Sequence, residues 1–261
     1  MNEQSKKLVE KLVQKWLKEI GVVLEKIPYD DHYLATYKSK TKVVSLIDMS
    51  LNNTSFKLNG SKLKSCIIMN KLGIPHIEVT PLPKNKNDAL ITAAQYLKNN
   101  KCKFVIRGER GTCGTNTFFV ESKEDIIYAI ASICGQGIQP LISPYYEAPF
   151  EYRVYYLNGV SELIVKKYKN PNTGKHNLSL GAKALVETNS KKIKQLNIIA
   201  QQVGKLFDLR FAAIDIMKTE KGLKVVEFGI PNIRTFSSMS VQNEILAKNL
   251  FQKAFLLKFQ Q

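Results

Sequence analysis

The sequence contains few of the residues that build metal clusters or disulfide frameworks. It has four cysteines and three histidines, and no two of them lie at the short spacing of a paired zinc-binding motif. We therefore expect reduced thiols, with neither a structural zinc site nor a disulfide scaffold. These residues are Cys66, Cys102, Cys113, Cys134, His32, His76 and His176.

Long apolar runs are also absent. No stretch approaches the roughly 20 apolar residues that a membrane-spanning helix needs, and the first residues are polar and basic, unlike a signal peptide. Internal repeats and low-complexity tracts are missing as well. A chain of 261 residues with 44% hydrophobic content can bury a substantial core. We expect a soluble, cytoplasmic protein with no membrane partner, whose oligomeric state is left open.

Acidic residues are scarce, with 22 Asp and Glu against 39 Lys and Arg, a formal net charge of +17. Such a field attracts anions, whether nucleotides, phosphorylated metabolites, acidic peptides or nucleic acid. The alternative is that the lysines simply solvate helix faces, as between Leu8 and Ile20, where an amphipathic helix is predicted to end at Gly21. The basic residues form no single tract interleaved with aromatics, so a nucleic-acid partner is not favoured.

Strand and helix signals alternate along the chain and predict an α+β protein. Three parts are expected: an N-terminal segment over 1–58, a first lobe over 59–140 and a second lobe over 141–261. Further helices are predicted over 61–72, from Asp88 to 97, over 122–134, over 190–207 and over 241–259. Strands are predicted over 22–27, 43–47, 76–79, 103–107, 116–120, 141–143, 151–157, 161–168, 211–217 and 223–228.

Two of the last strands each carry one carboxylate among apolar residues. Asp215 lies within 211–217 and Glu227 within 223–228, and the connection is short enough for the two strands to pair antiparallel. Unpaired carboxylates facing each other in a buried setting repel and are costly. A bound divalent cation relieves both problems, since magnesium commonly uses one or two carboxylates with phosphate oxygens. Ion pairs with lysine or arginine are the equal alternative.

A glycine-bearing loop over 107–115 (RGERGTCGT) joins two predicted strands. Its glycines, including Gly111 and Gly114, and its threonines, including Thr112, offer backbone N–H groups and hydroxyls to a phosphate chain, and Arg107 adds charge. The spacing fits neither a P-loop nor a dinucleotide fingerprint. An ordinary hairpin loop is as consistent with the pattern.

The strand over 151–157 places Glu151, Arg153 and Tyr155 on one face. Lys166 and Lys167 end the next predicted strand. An arginine and a lysine that converge suit an acyl phosphate or a transferring phosphoryl group. A cross-strand salt bridge from Glu151 to one of the two lysines is the alternative.

Taken in order, these segments resemble the ATP-grasp superfamily, particularly its carboxylate–amine (peptide-forming) ligases. The resemblance covers roughly 54–235. It rests on SKLKSC at 61–66 before LGIP at 72–75, FVIR at 104–107 with the glycine loop, PLISPYYE at 140–147, EYR at 151–153, HNLSLG at 176–181, AID at 213–215 and VVE at 225–227.

The resemblance implies a two-lobed α+β fold with the nucleotide between two subdomains, preceded by a short N-terminal α/β segment. It also implies a role for each matching residue. Nucleotide contacts fall on Lys62, Arg107 (where the family usually has lysine), Gly111, Thr112, Gly114 and the hinge residues Ser143, Tyr145 and Glu147. Catalytic roles fall on Arg153, Lys167 and Asn177, and metal binding on Asp215 and Glu227.

The implied activity is ATP-dependent amide formation through an acyl phosphate, with ATP and Mg2+, or Mn2+ in its place, as cofactors. The substrates would be a carboxylate, on a small molecule or an acidic peptide, and an amine. The chain departs from the family's closing E-x-N motif, because Gly229 stands where an asparagine helps hold the second magnesium. Asn232 is the candidate to substitute from the loop. The alternative is a degenerate ATP-grasp module that binds nucleotide without ligation.

Overall fold

The computed structural model describes residues 3–26, 32–46, 49, 51, 61–100, 102–111, 114–231 and 241–260. The α-helices are α1 (Glu3–Glu19), α2 (Lys62–Lys71), α3 (Lys86–Asn100), α4 (Lys123–Cys134), α5 (Ser190–Leu206) and α6 (Val241–Gln260), with a short 3-10 helix at Leu178–Leu180. The strands are β1 (Val23–Lys26), β2 (His32–Tyr37), β3 (Lys40–Ser45), β4 (Thr80–Pro81), β5 (Phe104–Gly108), β6 (Thr117–Val120), β7 (Pro140–Pro144), β8 (Phe150–Leu157), β9 (Val160–Tyr168), β10 (Ala184–Val186), β11 (Phe211–Thr219) and β12 (Gly222–Gly229).

The chain forms two compact units. The first comprises 1–56, 150–216 and 228–261, and the second comprises 57–149 and 217–227. The hairpin of β11 and β12 therefore passes from the first unit into the second. The three-part division expected from the sequence stays a prediction.

Helix boundaries follow local capping. Ser61 accepts a hydrogen bond from the Lys64 amide at the start of α2, and Ser122 and Asp125 form a complete capping box at the start of α4. Both starts agree with the sequence prediction. The predicted start of α3 at Asp88 is wrong, because the Asn85 side chain accepts from the amides of residues 87 and 88 and the helix begins at Lys86.

The strand predictions also need correction. β2, β4 and β10 are not among the predicted strands. The segment 76–79, expected as a strand, makes only an isolated bridge from His76 to Val225 within the described residues. β2 pairs with its sequence neighbours β1 and β3, β4 pairs with β7, and β10 pairs with β9 across the loop that separates them.

The first unit contains a three-stranded sheet, β1-β2-β3, and a five-stranded sheet ordered β10-β9-β8-β11-β12. Alternate residues on one face of β8, β9 and β11 join the hydrophobic core that also contains α1, α6 and the small sheet. The core members from the large sheet are Tyr155, Leu157, Leu163, Val165, Phe211 and Ala213. The opposite face of β8 and β9 contacts α5, where Tyr156 lies against Gly204.

The second unit is built on a four-stranded sheet ordered β4-β7-β5-β6. Phe104, Ile106, Val120 and Ile142 face α3 and α4 and form its core. The alternate residues, Val105, Arg107 and Ser143, therefore point to the other face. None of the described helices is long and apolar enough to cross a membrane.

Candidate active site

The apolar face of the five-stranded sheet turns charged at one end. Along β8 the core residues Tyr155 and Leu157 share their face with Arg153 and Glu151. In the same way Lys167 follows Val165 on β9, and Asp215 follows Ala213 on β11. The two-residue repeat thus places four charged side chains beside the core.

Arg153 and Asp215 form a two-point ion pair. Arg153 Nε donates to Oδ1 of Asp215 at 2.8 Å, and a terminal nitrogen donates to Oδ2 at 2.7 Å. Burial by itself would raise the pKa of Asp215, but Arg153 and Lys167 outweigh it and hold that pKa well below its usual range. Asp215 is therefore ionised at neutral pH. The side chain of Arg153 remains 17% exposed, so this cation still reaches solvent.

Lys167 contacts two carboxylates. Its Nζ donates to Asp215 Oδ2 at 3.1 Å and also contacts an oxygen of Glu151, its directly opposed cross-strand partner. The Lys167 side chain is only 2% exposed. The other oxygen of Glu151 lies 3.9 Å from Nδ1 of His176, which belongs to the loop between β9 and β10.

These contacts decide one of the alternatives that the sequence left open. The cross-strand salt bridge from Glu151 is formed, and its partner is Lys167. Lys166 points to the opposite face, where its Nζ lies 4.0 Å from the centre of the Phe150 ring. Asp215 is in an ion pair with arginine and lysine, and its predicted metal ligation stays a prediction.

In the second unit, Lys62 lies among groups contributed by the glycine loop and β12. Its Nζ donates to the carbonyl oxygen of Gly111 at 3.2 Å, and its amide donates to the carbonyl of Glu109 at 3.4 Å. The pKa of Lys62 is lowered, chiefly by burial and also by nearby Arg107. The negative charges of Glu227 and Glu109 raise the pKa but do not cancel this effect. Lys62, Arg107, Gly111 and Glu227, all predicted site residues, are thus close in space.

The glycine loop is anchored at its base. The Gly108 amide donates to the Asn116 carbonyl at 2.8 Å, and the side chains of Asn116 and Gln136 exchange two hydrogen bonds of 3.2 Å. A Cβ at Gly108 would lie 2.8 Å from the Arg110 carbonyl oxygen, so glycine is needed at this turn. Gly111 and Gly114 both have positive φ, and Thr112 lies outside the described residues.

The predicted hinge residues lie along and beyond β7. Ser143 is opposite Val105 and fully buried, and its hydroxyl has no hydrogen-bond partner among the described residues. Tyr145 packs edge-on against Phe119 with ring centroids 5.6 Å apart, and its hydroxyl donates to Glu147 at 2.5 Å. An aromatic wall therefore adjoins the sheet face that carries Arg107.

Among the described residues, neither Asp215 nor Glu227 belongs to a cage made of protein ligands alone, and each taken by itself fits only a magnesium ion that arrives with a nucleotide. A carboxylate offers about four acceptor positions, and three of those of Asp215 already accept hydrogen bonds. Glu227 is exposed. Within the described part of the chain, no three His, Cys, Asp or Glu side chains group closely enough to hold a metal. Magnesium that keeps water and phosphate oxygens needs only one or two carboxylates.

Comparison with solved structures decides the fold. The model matches D-alanyl-alanine synthetase A from Vibrio cholerae O1 biovar eltor with a TM-score of 0.66 at 13% identity, covering 97% of this chain and 94% of that one. It matches the ATP-grasp ligase PsnB with a TM-score of 0.54 at 13% identity, covering 80% of this chain and 63% of that one. The chain has the ATP-grasp fold.

A third structure with the ATP-grasp fold, D-alanine–D-alanine ligase from Bacillus anthracis, matches with a TM-score of 0.59 at 15% identity, covering 83% of this chain and 69% of that one. That ligase has also been solved with ATP, and PsnB with Mg, ADP and a precursor variant. No protein-family model matches the sequence. No curated protein is significantly similar to it either.

Three residues that are not among the predicted nucleotide, catalytic or metal residues take part in the two clusters. Glu109 accepts a hydrogen bond from the Ser61 hydroxyl beside Lys62, and Glu151 and His176 extend the charged cluster of the first unit. Two signals in the sequence were available: the salt-bridge alternative for Glu151, and the positions of Glu151 and His176 within the EYR and HNLSLG motifs. Asn177, predicted as catalytic, directly precedes the 3-10 helix, and its role stays a prediction.

Proposed function

We propose that the chain is an ATP-dependent ligase that joins a carboxylate to an amine. The observation that carries the proposal is the partly exposed Arg153, held by buried Asp215, which Lys167 also contacts, on the large sheet of an ATP-grasp fold. A guanidinium fixed at two points is preorganised to stabilise negative charge that develops during a reaction.

In the proposed reaction, an oxygen of the substrate carboxylate attacks the γ-phosphorus of ATP, and the bond from that phosphorus to the β-phosphate oxygen breaks. ADP leaves and an acyl phosphate is formed. The amine nitrogen then attacks the acyl carbon, the C–O bond to phosphate breaks, and the nitrogen loses a proton. Amide and inorganic phosphate are the products. Phosphoryl transfer of this kind depends on positioning and charge neutralisation more than on covalent help.

Each cluster supplies part of what this reaction needs. Lys62 and Arg107, with the backbone of Gly111 and Gly114, would bind the nucleotide phosphates. The surface around Ser143, Tyr145 and Glu147, with the aromatic ring of Tyr145, would take the adenosine. Arg153 would neutralise the acyl phosphate, supported by Lys167 and Asn177.

Asp215 and Glu227 are the carboxylates that would hold magnesium. When bound, the ion would neutralise charge on the phosphate oxygens. Glu227 is the better position at which to test this role, because it is exposed whereas Asp215 also stabilises the buried cations. Glu220, an exposed carboxylate in the turn between β11 and β12, offers a matched control.

The test is ADP release from ATP across a panel of amino acids and acidic peptides. We expect release that depends on both a carboxylate and an amine, that is lost in Glu227→Gln, and that is retained in Glu220→Gln. Equal turnover in the two variants would contradict the assignment of Glu227. Absence of turnover with every pair of substrates would contradict the ligase proposal.

A second candidate is a nucleotide-binding module without turnover. It is favoured by Gly229 in place of the family's asparagine and by the three hydrogen bonds that already occupy Asp215. Calorimetric titration with a non-hydrolysable ATP analogue separates the candidates. Tight binding together with no ADP release would support the module.

A further inference from the structure

Glu151 lies at a branch point of the charged cluster in the first unit. It is 8% exposed and stands directly opposite Lys167 in the register of β8 and β9. One carboxylate oxygen contacts Lys167 Nζ, and the other lies 3.9 Å from His176 Nδ1. Glu151 therefore meets one side chain from the sheet and one from the loop.

The contacts form a chain in which His176 lies next to Glu151 and charges of opposite sign then alternate along Glu151, Lys167, Asp215 and Arg153. Lys167 starts on β9 and reaches Asp215 on β11, with β8 between them. Neighbouring strands are roughly 4.8 Å apart, so the Lys167 and Asp215 side chains together span two strand spacings. Two cations and two carboxylates balance in this buried region. Without the charge of Glu151, both cations would depend on Asp215.

We propose that Glu151, supported by His176, is a positioning residue for the ligase reaction. This inference rests on the proposed function. Glu151 holds the ammonium of Lys167 midway between two carboxylates. If Glu151 were neutral, the ammonium would move toward Asp215 and compete with Arg153 for Oδ2, and the guanidinium would lose its fixed orientation. Lys167 itself is almost fully buried and acts through Asp215.

The loop that supplies His176 is built to hold this position. It is closed where Tyr168 N donates to Lys183 O at 2.7 Å, and inside it Asn170 N donates to Lys175 O at 2.9 Å. The Asn170 side chain donates to Leu180 O at 2.6 Å. These bonds fold the loop back over the ends of β9 and β10, so Glu151 links the loop conformation to the charged cluster.

Loss of the Glu151 charge is expected to lower turnover and to leave nucleotide affinity unchanged. Lys62 and Arg107, the residues proposed to bind the nucleotide phosphates, belong to the second unit. Misplacing a reacting group by about 1 Å can cost on the order of 100-fold in rate. We therefore expect Glu151→Gln to lower kcat for ADP release by about 10- to 100-fold. KM for ATP should change by less than about threefold, as for an interaction made mainly in the transition state.

Two further variants separate positioning from general stability. Glu151→Asp keeps the charge and should recover part of the lost kcat. Glu162→Gln is the matched control, because Glu162 lies on β9 and pairs with Lys253 away from the cluster; its kcat should equal that of the wild type. A Glu151→Gln enzyme with the kcat of Glu162→Gln would overturn the inference.

Amine labelling with acetic anhydride, read by mass spectrometry, tests the same contact without turnover. Lys167 should be protected in the wild type and labelled faster in Glu151→Gln, with Lys166 on the opposite face as the internal reference. Unchanged labelling of Lys167 would overturn the inference by itself, whereas absence of turnover in the wild type would overturn the proposed function. If Glu151→Gln does not fold, Glu151→Asp decides. A kcat per folded molecule below that of the wild type, by less than about tenfold, supports positioning by charge; a kcat per folded molecule equal to that of the wild type contradicts it.

Discussion

The guanidinium of Arg153 donates two hydrogen bonds, of 2.8 and 2.7 Å, to the carboxylate of Asp215 on the neighbouring strand; Arg153 lies on β8 and Asp215 on β11. Two parallel hydrogen bonds fix the plane of the guanidinium as well as its position. The pair thus fixes the orientation in which the partly exposed guanidinium would meet an incoming anion. The same ion pair therefore contributes to the stability of the fold and to the orientation of the guanidinium.

Removing the charge of Asp215 should destabilise the fold strongly. In Asp215→Asn, Arg153 and Lys167 stay buried with Glu151 as the one carboxylate, and breaking a buried pair from one side costs about 3–5 kcal/mol. Chemical denaturation measures the change in the free energy of unfolding. Asp208→Asn is the control, because Asp208 is exposed in the turn before β11 and asparagine tolerates its positive φ. Equal free energies for the two variants would contradict the buried pair.

Lys62→Met should weaken nucleotide binding. Loss of a charge-assisted hydrogen bond costs about 1.5–3 kcal/mol, which corresponds to an affinity about 10- to 150-fold lower. Calorimetry with a non-hydrolysable ATP analogue checks this value. Lys64→Met serves as control, since Lys64 lies on the same helix but is exposed. The assignment of Lys62 fails if the two variants bind equally.

Gly204→Ala should lower the melting temperature. A Cβ at this position would lie 2.2 Å from the Tyr156 ring, which is 5% exposed and has little room to move. Overpacking of this kind costs about 1–3 kcal/mol. In a double-mutant cycle with Tyr156→Ala, the cost of Gly204→Ala should shrink, because the clashing ring is gone. Additive effects would refute the close packing of α5 on β8.

His76 should make stability depend on pH. Its hydrogen bond with Cys66 is the largest effect and raises the pKa of His76, with help from the Ile74 carbonyl and Glu78, although burial opposes. The charged imidazole is thus favoured in the fold. The stability that the charged imidazole contributes is fully present below the unfolded-state pKa of about 6.5. It is lost as the pH rises through the pKa of His76 in the folded protein.

The free energy of unfolding of the wild type should therefore fall over that interval, and His76→Gln should show a flatter profile. An NMR titration of the His76 ring gives the folded pKa directly. A ring that titrates at or below pH 6.5 would contradict this prediction.

Local signals accounted for much of the secondary structure. Ser61 and Ser122 were found as helix starts because capping involves residues only three positions apart. Asp88 and not Asn85 was predicted as the cap of α3. Both residue types cap helices, and the two positions are too close for the local pattern to separate them. β10 was missed because three residues that pair only with β9 carry little periodicity.

The sequence by itself determined which side chains share a face, since alternation along a strand has a period of two. It therefore placed Glu151 and Arg153 together and predicted that Asp215 interrupts an apolar strand. The tertiary structure decided which charges neutralise which. Lys167 meets Asp215 because β9 and β11 are the two neighbours of β8 in the sheet. His176 reaches Glu151 because its loop folds back. Strand order and loop closure join residues tens of positions apart, and no local pattern in the sequence encodes them.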